Sequence, residues 1–114
     1  MMIPDSKFRE IAKGLFEKSK QGKVEWKKDA SPNDAFRFQS PQFSFFLNYL
    51  RPRVERDYIE LVLQGPRGEE VGKWRVFEDD EDWQLASELY SEVSRKVIGW
   101  DKVLQEVEKF IGSK

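Results

Sequence analysis

A chain of 114 residues with 39% apolar and 14% aromatic side chains can enclose one hydrophobic core, and its length suits a single domain over 1–114. Its 20 basic and 21 acidic residues leave a net charge of −1, so no overall field draws in nucleic acid or an anionic membrane. Histidine and cysteine are both absent, which removes Ser-His-Asp and Cys-His catalysis, Cys/His zinc sites and any disulfide framework.

The first element in chain order is a helix. Phe8, Ile11, Ala12, Leu15 and Phe16 recur at the spacing of one helical wall, with Asp5 or Ser6 as expected caps. Lys18 and Lys20 suit the negative dipole end, and Gly22 the stop. From Lys23 the period falls to two. Val24 and Trp26 alternate with Lys23, Glu25 and Lys27, the pattern of a strand with one wet face. Ser31-Pro32-Asn33-Asp34 is turn chemistry. Phe36 and Phe38 mark a second strand, Phe43, Phe45, Leu47 and Tyr49 a third, and Ile59, Leu61 and Leu63 a fourth. Gly65-Pro66-Arg67-Gly68 suits a tight turn into a fifth strand carrying Trp74 and Val76. Short connections of this kind make antiparallel neighbours, so a meander of about five strands is expected.

The acidic run Glu78–Asp82 closes the sheet and is expected to cap the next helix, since carboxylates suit the positive dipole end. Leu85, Leu89, Val93, Val97, Trp100, Leu104, Val107 and Ile111 then recur at steps of three and four. The stripe keeps its phase through Gly99, which predicts one long, at most bent, helix. Thirty residues at 1.5 Å rise would span roughly 45 Å, more than the width of a domain this size. The predicted fold is therefore α+β: an N-terminal helix, the meander and a long C-terminal helix in a two-layer sandwich.

For function, exclusion comes first. No run nears the roughly 20 apolar residues of a membrane span, and the first residues lack the pattern of a secretory signal. A cytoplasmic protein with no membrane partner is the expectation. No glycine pattern for phosphates appears, and the five consecutive acids lack the central glycine of a calcium loop. Neither a metal, a cofactor nor catalysis is expected.

Two positive readings remain. In the first, the chain is a non-enzymatic module that binds a partner protein or itself, as a homodimer. Trp26, Phe36, Phe38, Phe43, Phe45 and Trp74 are in phase with the inward sheet face, whereas Phe46, Leu50, Tyr58 and Val62 would point outward beside Lys73 and Arg75. Phe46, Tyr58 and Val62 on the sheet, with Trp100, Leu104, Val107 and Ile111 on the helix, are the partner-binding candidates. In the second, Arg51, Arg53 and Arg56 form an anion-binding loop for a small ligand or nucleic acid. An acidic pI of 5.6 counts against nucleic acid.

Overall fold

Residues 3–29 and 34–112 are described by the computed structural model, with residues 34, 100 and 101 described by backbone alone. The first stripe forms helix α1 (Asp5–Lys20), which buries Phe8, Ala12 and Leu15 on one wall. Asp5 and Ser6 lie inside the helix rather than capping it. Pro4 holds the cap position, where its restricted φ already matches, and its carbonyl accepts the N–H groups of Lys7 and Phe8. At the other end Gly22 adopts φ 72°. There the Lys23 N–H bonds the Lys18 carbonyl and the Gly22 N–H bonds that of Ser19, a Schellman closure.

The strand expected over Lys23–Lys27 is a correction: β1 is only Lys27–Lys28. Trp26 supplies the reason. It is buried as expected, but its indole N–H donates to Ser19 Oγ at 2.9 Å, which ties the segment to α1 and keeps it out of the ladder. The turn residues Ser31, Pro32 and Asn33 lie outside the described residues.

Strands β2 (Asp34–Gln39), β3 (Ser44–Leu50), β4 (Tyr58–Gln64) and β5 (Glu70–Phe77) follow, and the five pair in chain order, antiparallel throughout. The β4–β5 turn closes with the Gly68 N–H on the Gly65 carbonyl and Gly68 at φ 83°, next to a register shift at Leu63/Gln64. Phe36, Phe45, Leu47, Ile59, Leu61, Trp74 and Val76 point to one face and form the core with α1 and with helix α2 (Trp83–Ile98). Phe8 stacks on Trp74, with ring centroids 6.2 Å apart. Gly72 permits that approach, since a Cβ there would lie 3.0 Å from the Phe8 ring. Phe43, expected in the core, precedes β3 and stands 37% exposed, edge-on to Phe38 and Phe45.

Two further expectations are overturned beyond the sheet. Asp82 stands at the α2 cap position, but its side chain makes no cap hydrogen bond; its carboxylate grips the Arg9 guanidinium at 2.8 and 3.0 Å. A bidentate charged pair across elements outcompetes a local cap here. The helix also does not run through Gly99. That residue takes the left-handed conformation, φ 74° and ψ 39°, which ends α2 and starts helix α3 (Trp100–Gly112) immediately afterwards. Its own carbonyl accepts the Lys102 and Val103 N–H groups, so one residue serves as stop and start. Periodicity could not reveal this, because a one-residue break barely disturbs the spacing.

The result is elongated. The extents are 62 × 37 × 26 Å and the radius of gyration is 15.8 Å, against roughly 13 Å for a compact domain of about 100 residues. No described helix is long and apolar enough to cross a membrane.

Candidate interaction surfaces

Helix α3 carries the first surface. With 100° between successive residues, Val103, Leu104, Val107, Phe110 and Ile111 all fall within about 60° of Val107. These five side chains are 44–82% exposed, and α3 packs against the end of α2 without extensive contact with α1 or any strand. Glu106 and Glu108 flank the stripe about 100° to either side, while Lys102 and Lys109 lie behind it. The helix is therefore an apolar ridge edged by carboxylates.

The second surface is the sheet face turned away from α1 and α2. Cross-strand register sets one row through all five strands: Lys27, Arg37, Phe46, Val62 and Lys73. A neighbouring row holds Ala35, Asn48, Glu60 and Arg75, and a third Leu50, Tyr58 and Phe77. In the first row Phe46 and Val62 thus lie between cations on β2 and β5, while Asn48 and Glu60 occupy the middle of the second. Phe46, Asn48, Leu50, Val62, Gln64 and Lys73, with the carboxylates of Asp29, Glu60 and Glu70, line a shallow depression of about 390 Å³. Helices α1 and α2 pack on the opposite face. Val62 and Glu60 are only 8% exposed. The Arg75 Nε–H donates to Glu60 at 2.7 Å, which satisfies that sunken carboxylate and holds Arg75 protonated more firmly than usual. Arg37 sits over the Phe46 ring at 6.0 Å and Arg75 over Tyr58 at 5.5 Å.

The structure thus gathers Phe46, Tyr58 and Val62 on one face and Leu104, Val107 and Ile111 on one helix, and it keeps the two groups apart. The side chain of Trp100 lies outside the described residues. Val103 and Phe110 were missed, although each lies four or three residues from Val107 and so falls on the same helical wall. The Arg37–Lys73 bracket was missed because it exists only through register, and a single sequence does not number its cross-strand partners.

The arginine loop is built differently. Arg51 stacks over Tyr49 at 4.4 Å, on the helix side of the sheet where Tyr49 meets Trp83 and Tyr90. Arg56 stacks over Phe77 at 4.6 Å on the opposite side and pairs with Asp79, whose carboxyl it holds below the ordinary carboxylate range. Arg53 is exposed. Two of the three guanidinium groups therefore diverge across the sheet and form no fork for one anion.

The acidic run is likewise dispersed: Asp79 goes to Arg56, Asp80 accepts the Phe77 N–H, and Asp82 goes to Arg9. Among the described residues no group of three or more carboxylates is arranged to hold a metal ion. Comparison with known proteins gives no matching family model, no matching curated protein and no matching solved structure.

Proposed function

We propose that this chain is a non-enzymatic protein-interaction module whose docking element is the apolar ridge of α3. One observation carries the reading: a 13-residue amphipathic helix displays five large apolar side chains, each 44–82% exposed. An isolated helix of that length is marginal in water, so it needs a surface to lie on. Burying a Val, Leu, Ile or Phe side chain contributes roughly 1.5–3 kcal/mol, and a contiguous ridge of them is the usual mark of a contact surface. A cytoplasmic setting fits a chain without cysteine. The anion-loop alternative draws less support, because Arg51 and Arg56 point to opposite sides of the sheet.

Hydrogen exchange combined with mass measurement tests the proposal. The free single chain should exchange its α3 amides at rates near those of an unfolded peptide, and docking to another polypeptide should slow them. Slow α3 exchange in a strict monomer would mean the ridge is buried within its own chain, and the proposal would fall.

A further inference from the structure

The α3 ridge and the outer sheet face are complementary, and we propose that α3 of one copy of this chain docks along the outer sheet face of a second copy. This rests on α3 being a docking element and adds its receptor. Three observations lead there. The ridge is apolar with Glu106 and Glu108 on its two flanks, and the sheet face is apolar at Phe46, Leu50 and Val62 with Arg37 on one flank and Lys73 on the other. The flanking charges of the two surfaces are opposite in sign; of the acids that line the face, Glu60 is held by Arg75, while Asp29 and Glu70 stand at its rim.

The dimensions match as well. Arg37 on β2 and Lys73 on β5 are separated by three strand spacings, about 14 Å, and a helix with its side chains is about 10–12 Å across. A helix laid over β3 and β4 would therefore put one glutamate beside each cation. Thirteen helical residues span about 20 Å, close to the roughly 23 Å of the seven-residue strands β3 and β4. Lys73 holds its exposed neighbour Glu70 at 3.4 Å and Glu106 holds Lys109 at 3.7 Å, both i,i+3 pairs weak enough to exchange on docking.

The receptor must belong to another copy. Only Gly99 separates α3 from α2, and α2 packs on the inner side of the sheet. One residue spans at most about 3.6 Å, so α3 starts in the α2 layer and cannot lie along the outer face of its own sheet. Each copy offers one ridge and one face. Reciprocal docking then closes a two-fold dimer with both surfaces covered.

The test uses the natural lack of cysteine, which makes any introduced thiol unique. Lys73→Cys protein is mixed with Glu106→Cys and, separately, with Glu108→Cys protein under mild oxidation. A disulfide-linked pair is expected in at least one mixture. In parallel, Arg37→Glu with Lys73→Glu should weaken self-association about tenfold or more, as should Glu106→Lys with Glu108→Lys. An equimolar mixture of the two reversed proteins should regain affinity, which mere misfolding would not allow. Crosslinks found only between two α3 cysteines would overturn the sheet as receptor yet leave α3 as a docking element. A chain that stays monomeric at the highest reachable concentration would overturn self-docking and leave the ridge to a different partner. Slow α3 exchange in that monomer would overturn both.

Discussion

Helices α2 and α3 have the same kind of sequence and opposite fates. Both show apolar residues at steps of three and four, and both follow from one uninterrupted stripe. Yet Ala86, Leu89 and Val93 of α2 are at most 1% exposed, while the α3 ridge stands largely in solvent. The difference lies in what faces each helix. The inner sheet face offers α2 the side chains of β3, β4 and β5, and Gly99 then turns the chain away before that surface is used again. An amphipathic pattern states that a face will be buried; it does not state against which surface.

The sharpest way to break this comparison is to truncate one apolar side chain in each helix. Leu89→Ala should cost about 2–5 kcal/mol and lower the melting temperature by about 10 °C or more, because it leaves a cavity under a fully packed helix. Val107→Ala should change the unfolding of the single chain by no more than about 0.5 kcal/mol while weakening its association. Equal losses in thermal melts of the two monomeric variants would show that α3 is part of the core.

A smaller effect is expected at the break itself. Alanine at Gly99 meets a left-handed φ of 74°, costing about 1–2 kcal/mol, whereas alanine inside a helix is favoured over glycine by about 1 kcal/mol. Gly99→Ala should therefore drive α2 and α3 toward one straight helix, with the amides of residues 100–103 becoming slow to exchange. Unchanged fast exchange there would mean the turn is held by something other than the glycine.

The smallest effect concerns charge. Arg56 lowers the pKa of Asp79, chiefly by hydrogen bonding, and a carboxylate lowered on folding stabilises the fold above its unfolded pKa. That contribution is lost as the pH falls through the lower folded value. Arg56→Gln should flatten this acid dependence in pH-resolved melts without touching α3 exchange. Since Asp79 is largely exposed, the change should be slight; an identical acid profile would show that the pair contributes nothing.

Much of the body is legible in the amino-acid order. The α1 stripe, the alternation of Phe36, Phe45, Leu47, Ile59, Leu61, Trp74 and Val76, and the Gly65–Gly68 turn each state a local preference, and all three are realised. Phe46, Leu50, Tyr58 and Val62 were also readable as outward-pointing, since a period of two assigns faces without knowing the partners. Trp26 and Asp82 were not readable in this way. Their roles depend on Ser19 and Arg9, contacts that local spacing does not encode.

By itself, then, the sequence determined an α+β chain with a five-strand meander, an apolar outward patch and an apolar C-terminal stripe. It also excluded histidine and cysteine chemistry by composition. The tertiary structure alone decided that the stripe breaks at Gly99, that the acids disperse onto Arg9 and Arg56, and that Arg37 and Lys73 frame Phe46 and Val62. The physical reason is common to all three. Periodicity reports which side of an element avoids water, whereas a backbone reversal at one glycine, a salt bridge between distant elements and cross-strand register arise only once the elements have packed.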